Sequence, residues 1–205
     1  MNRRNKKIEL PIKNKSVVIQ NSSAQSSFNL KFDLKKTSTS IAWGNHVSPL
    51  FKQKVIDICT ELKASPGHLM ACMAFETGES FSPSIKNKDS GAVGLIQFMP
   101  ETAESLGTTS LALAAMAAEN QLEYVKKYLL AWKGKYSTLS DLYMSILLPK
   151  AIGESETYVL FKQGTKAYEQ NKGLDLDGDG KITKFEATTL VQKKLDKGLN
   201  AENVG

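Results

Sequence analysis

The sequence predicts an α+β protein that is mostly α-helical, with a small β-hairpin over residues 86–95 and a helix-loop-helix at the C-terminal end. Apolar residues recur at helical spacing through most of the chain beyond residue 41. Serine caps, prolines and glycines punctuate those runs where helices start and stop. With 205 residues, the chain is long enough for one good core plus an appendage.

Residues 49–62 place Phe51, Val55, Ile56 and Cys59 at helical spacing. The next helix is predicted over 66–76, with Ser65 as N-cap and Pro66 at the first helical position, where its missing N–H costs nothing. Leu69, Met70, Met73 and Ala74 make an apolar stripe, and Ala71, Cys72 and Phe75 leave little polar surface, so this helix is expected to be buried. Gly78 ends it. Pro100, Glu101 and Thr102 start a short helix that Gly107 stops. Residues 112–132 read as one helix, alanine-rich and then amphipathic through Leu122, Val125, Tyr128 and Leu129. Further helices are predicted over 139–148, which carries Tyr143, and over 154–161. Trp43 and Trp132 read as packing residues. Cys59 and Cys72 fit the apolar faces of consecutive helices; facing helices could bring them within disulfide range, and free thiols are the alternative expected more often in a body with no other staples.

Glu76 stands where the buried helix ends. A carboxylate there meets the negative end of the helix dipole and apolar neighbours such as Phe75, and both raise its pKa. A carboxylic acid that stays protonated near neutral pH is what general-acid catalysis needs. Downstream, Gly91 and Gly94 allow a tight loop, and Gln97 offers two donors and an acceptor for reading a hydroxyl or N-acetyl group. Phe98 and Met99 follow as an apolar pair. One of them lines a subsite floor, or both belong to the core.

The order Glu76-Thr77, Phe81, Pro83, then Gly91-Ala92-Val93-Gly94-Leu95-Ile96-Gln97-Phe98-Met99-Pro100 and Thr102-Ala103 resembles the soluble lytic transglycosylase family of lysozyme-like enzymes, in its phage or secreted form. The resemblance covers roughly residues 47–164. It implies a lysozyme-like fold and cleavage of the β-1,4 bond between N-acetylmuramic acid and N-acetylglucosamine in peptidoglycan glycan strands, with Glu76 as acid and then base and 1,6-anhydro ends as product. It also implies positioning roles for Gln97 and Tyr143. Lys88 stands where many members have serine, so Ser90 or Asn87 is the candidate to supply that polar group; Leu142-Tyr143-Met144-Ser145-Ile146 occupies the place of the family's Ala-Tyr-Asn-Ala-Gly. A retaining or inverting hydrolase needs a second carboxylate, and no motif nominates Glu79 or Asp89. The alternatives are a hydrolytic lysozyme acting on the same bond, or a peptidoglycan-binding module without catalysis.

A second motif runs from Asp175 to Glu186 and resembles the twelve-residue EF-hand calcium loop. Asp175, Asp177 and Asp179 would supply carboxylates to a structural Ca²⁺, Lys181 a backbone carbonyl, Thr183 a hydroxyl or a bridging water, and Glu186 two oxygens. Residues 165–171 and 187–195 are the expected entering and exiting helices. EF-hands of the sensor kind come in pairs, so a lone loop suggests a clamp rather than a switch. Because the loop lies far along the chain from Glu76, calcium is expected to act on stability more than on chemistry.

Charge is unevenly placed. Of 27 basic and 21 acidic residues, residues 1–40 hold nine and two, leaving 18 and 19 for the remainder. The expected organisation is therefore a basic, weakly ordered arm over 1–40, a lysozyme-like body over 41–164 and the calcium-binding segment over 165–205. Two stretches of the arm, 8–12 and 28–34, alternate like strands. The arm reads either as a solvated tail or as a strip drawn to an anionic wall polymer, a membrane surface or a delivery apparatus. No recognition fold or aromatic-basic interleaving accompanies the charge, so nucleic acid is not an expected partner; a monomer is expected. The arm has no apolar run of the signal-peptide kind. Action in a periplasm or extracellular wall after delivery by lysis, virion or secretion system is the corresponding expectation. His46 and His68 have no metal-ligand partners at suitable spacing.

Overall fold

Two consecutive helices, α1 (Pro49–Leu62) and α2 (Pro66–Glu76), organise the residues that the computed structural model describes, 39–205. Ser48 and Ser65 cap them by accepting from the Phe51 and His68 amides, and each has proline in its first turn. All residues over 69–74 are buried. Six successive helical residues point in every direction around the axis, so α2 has to be enclosed on all sides.

The enclosure comes from later in the chain. After α3 (Pro100–Ser105), α4 (Ser110–Ala115) and α5 (Ala118–Leu129), the helix α6 (Leu139–Leu147) packs on α2, while α5 lies against α1. Strand β1 (Val159–Lys162), helix α7 (Lys166–Asn171), strand β2 (Lys181–Thr183) and helix α8 (Lys184–Gly198) follow. Helix α8 covers both α2 and α6. The segments 41–164 and 165–205 thus share one core within one compact unit.

Close approach fixes α8. A β-carbon on Gly198 would lie 2.3 Å from the Trp43 ring, and the indole Nε1 donates to the Lys194 carbonyl at 2.8 Å. Glu79, in the turn after α2, accepts from Lys194 at 2.6 Å and Lys197 at 2.5 Å. Trp43 is accordingly a buried packing residue, and Cys59 and Cys72 are buried free thiols. Burial pushes the Cys59 thiol up to about 12 and the Cys72 thiol well above its usual value, so both stay protonated.

The mostly helical α+β class holds, with one two-stranded antiparallel sheet among the described residues, but three elements differ from expectation. Residues 154–161 are not helical. They turn and enter β1, which pairs with β2 in the register Val159 with Thr183, Phe161 with Ile182 and Lys162 with Lys181, with a bulge after Val159. Leu160 and Ile182 are buried by that pairing. The expected hairpin over 86–95 is reduced to two single bridges, Lys86 with Val93 and Val93 with Phe98. Left-handed backbone at Gly91, Gly94 and Gln97 turns the chain too often for a ladder to extend. The single helix expected over 112–132 is broken at Met116 and Ala117, both extended, so alanine propensity yields to the need to place α5. The basic arm and its two candidate strands fall almost wholly within 1–38, outside the described residues. No helix among the described residues is long and apolar enough to cross a membrane.

Candidate active site

Glu76 is the last residue of α2, half-buried, and lines a cleft. Desolvation by the surrounding protein raises its pKa to about 8. Tyr143, on α6, is buried with its ring edge-to-face on Phe75 at 5.6 Å between centroids. Burial first, then the nearby Glu76 and Cys72, pushes the Tyr143 phenol well above its ordinary value, so it stays a hydrogen-bond donor.

The cleft has two lobes. The larger, of about 570 Å³, is lined on one side by Asn87, Ser90, Ile96, Gln97 and Met99. The smaller, of about 230 Å³, is lined by Phe75, Tyr143, Gly173 and Leu174. Glu76, Leu147, Gln170 and Asn171 line both, which puts the acid at the junction. The larger lobe has a volume usual for a site that takes a small organic ligand.

The loop that forms the first wall is rigidly held. At Gly94 φ is 83°, and a β-carbon there would lie 2.3 Å from Gln121 Oε1. That oxygen accepts from the Leu95 amide at 2.7 Å, while Gln121 Nε2 donates to the Pro83 carbonyl at 3.1 Å and the Leu113 carbonyl at 2.8 Å. Gln121 is fully buried and ties the glycine loop to α5. No motif marks it. The available signal was its place four residues before Val125, on the apolar face of a helix, where glutamine is out of pattern.

Of the candidates for substrate contact, Asn87, Ser90, Gln97, Met99 and Tyr143 all line the cleft with Glu76. Gln97 has φ at 51° and spends Nε2 on the Gly94 carbonyl at 3.1 Å and the Ile85 carbonyl at 3.4 Å, which leaves Oε1 as its acceptor. Asn87 Oδ1 accepts from the Asp89 and Ser90 amides at 2.9 and 3.1 Å. Ser90 Oγ accepts from the Ala92 amide at 3.3 Å. Phe98 is not a cleft residue: it is buried, edge-to-face with Tyr128 at 6.2 Å, because its bridge to Val93 turns it inward while Met99 stays exposed.

In the C-terminal loop, Asp175, Asp177 and Glu186 each bring an oxygen within 4.8 Å of the others. Asp179 stands apart from them and pairs with Lys181 Nζ at 3.1 Å. Thr183 Oγ1 donates to Glu186 Oε2 at 2.7 Å in a capping box that opens α8. Lys181 and Thr183 lie in β2, which pairs antiparallel with β1. Helix α7 enters this loop and also supplies Glu169, Gln170 and Asn171 to the cleft. Distance along the chain therefore did not separate the loop from Glu76. Tyr168, on the same helix, donates its hydroxyl to Asp175 Oδ2 at 2.6 Å.

No family model, curated protein or solved structure matches the chain.

Proposed function

We propose that the chain is a peptidoglycan lytic transglycosylase with Glu76 as general acid and then base. The observation that carries this is a carboxylic acid with a pKa raised to about 8 at the junction of a two-lobed cleft, beside Tyr143 and Gln97. A polymer cut within its length needs room on both sides of the acid. Glu76 gives its proton to the bridging glycosidic oxygen as the bond from the muramyl anomeric carbon breaks, and the substrate's own N-acetyl group stabilises the developing positive charge. The resulting carboxylate takes the proton of the muramyl 6-hydroxyl as that oxygen attacks the anomeric carbon, which closes the 1,6-anhydro ring and restores the acid. Digestion of purified walls followed by mass spectrometry tests this: anhydro-muramyl ends, one water lighter than hydrolysis products, are expected. One observation favours hydrolysis instead, since Asp89 and Glu169 line the same lobe as Glu76 and either would be the second carboxylate. Reducing ends that disappear in Asp89→Asn or in Glu169→Gln would establish that reading.

The acid makes a pH prediction. With the working form protonated, kcat/KM should be level below about pH 8 and fall about tenfold per unit above it. Stability moves the same way. The folded pKa of about 8 exceeds the ordinary 4.5, so the folded chain holds a proton that the unfolded chain has released. The stabilisation is complete below 4.5 and is lost as pH rises to about 8. Glu76→Gln should flatten that slope in melting curves; a slope unchanged by the substitution would refute the raised pKa.

We also propose that the loop from Asp175 to Glu186 holds calcium. The three converging carboxylates are hard oxygen donors, and the Asp179–Lys181 pair is solvent-exposed and cheap to open, so the residues present fit the ion. Bound calcium would neutralise the clustered acids. Binding to the folded state at tenfold excess over Kd stabilises by about 1.4 kcal/mol, so chelation should lower the Tm by roughly 3–6 °C. Asp177→Ala should abolish that response. Since α7 joins loop to cleft, chelation should also raise KM. A Tm indifferent to both treatments would make the loop a polar turn.

A further inference from the structure

The glycine loop lines the larger lobe of the cleft, and α7 lines both lobes. Of the four residues that line both lobes, Glu76 is the acid and Leu147 is apolar, so Gln170 and Asn171 are the polar groups that share the junction with the acid. Gln170 is exposed and makes no side-chain hydrogen bond among the described residues, so both amide donors and its acceptor are available. Asn171 is partly buried, and its Nδ2 donates to the Ala167 carbonyl at 2.9 Å, which holds the amide in one orientation with Oδ1 unspent. Among the described residues no lysine or arginine lines either lobe, whereas Asp89 and Glu169 line the larger one. The charge pattern suits an uncharged ligand rather than an anionic one, and paired amides match the hydroxyl and N-acetyl groups of a sugar.

We propose that Gln170 and Asn171 are substrate-binding residues that grip the glycan on either side of the bond being cut, which makes α7 a working wall of the cleft; this rests on the glycan cleavage assigned to Glu76. The sequence separates these residues from every motif of the glycine loop, and the fold brings them to it. A soluble β-1,4-linked N-acetylglucosamine hexamer is a suitable uncharged probe. Its Kd for the full chain carrying Glu76→Gln, measured by calorimetry, should rise roughly three- to tenfold when Gln170→Ala is added, as expected for loss of about one neutral hydrogen bond. In the chain with Glu76 intact, Gln170→Ala should lower kcat/KM on peptidoglycan by the same factor. Lys166→Ala, on the same helix but outside the cleft lining, should change neither. Because Gln170 is exposed and unbonded, its removal leaves the fold intact, and an unchanged Tm checks this. Equal Kd and kcat/KM for the Gln170→Ala and Lys166→Ala chains would overturn the proposal while leaving Glu76 in place. A chain that neither binds the hexamer nor cleaves walls would overturn both.

Discussion

Replacing Glu76 with glutamine is expected to abolish wall cleavage, with kcat falling by about 10² to 10⁴ and KM little changed. The size of the effect follows from the role: the amide keeps the shape of the side chain and its neutrality but has no proton to give to the leaving oxygen. The usual cost of substituting a half-buried acid is small here, because the native side chain, with its pKa at about 8, is already uncharged at neutral pH. Melting curves should therefore coincide below about pH 4.5 and separate in favour of the variant as pH rises to about 8, because over that range the carboxyl ionises in the unfolded chain while the folded chain holds its proton. Turbidity clearing of purified walls measures the loss. Activity within about tenfold of the native chain would remove Glu76 from the mechanism.

The second large effect is expected at Lys184, far from any motif of the glycine loop. Its side chain is 2% exposed; Nζ donates to Asp141 Oδ1 at 2.8 Å and to the Glu154 carbonyl at 2.9 Å. Asp141 also accepts from the Gly153 amide at 2.9 Å and the Thr138 hydroxyl at 3.1 Å. Burial alone would push that carboxyl up, but the hydrogen bonds from Lys184, Gly153 and Thr138 outweigh it and hold the carboxyl below its usual range. Lys184→Ala would leave a buried carboxylate without its cation, a change that costs about 3–5 kcal/mol. The pair links the first turn of α8 to α6, which carries Tyr143, so the loss should loosen the small lobe as well as the core. Urea unfolding measures it, and Lys184→Met with Asp141→Leu should recover most of the stability because no charge is left behind. A loss below about 1 kcal/mol for Lys184→Ala would mean that water reaches the pair and replaces the lysine.

Local signals were enough for the element that carries the acid. Ser65, Pro66, the apolar run over 69–74 and Gly78 are each interpretable from a few neighbours, and the helix they specify ends at Glu76 as expected. The same holds for α1, and for α7 and α8, whose presence was legible although α8 begins three residues earlier than expected, at Lys184. The strand β1 was not legible, because Phe161 takes its conformation from Ile182, a partner separated from it by α7 and the acidic loop. Propensity over 154–161 carries no information about that partner.

Sequence by itself therefore determined the candidates for chemistry: Glu76, the glycine loop with Gln97, Tyr143 beside the acid, and the acids at 175–186. Tertiary structure decided which of them face one another. Phe98 and Met99 are neighbours in the chain, yet one fills the core and the other the cleft, since the sense of a single bridge to Val93 sorts them. Gln121 became the prop of the glycine loop, and Gln170 with Asn171 came to line the cleft beside the acid, through contacts between segments far apart in sequence. Burial and desolvation are properties of the assembled core, so the raised pKa of Glu76 became a feature of the site only when α6 and the glycine loop enclosed the end of α2.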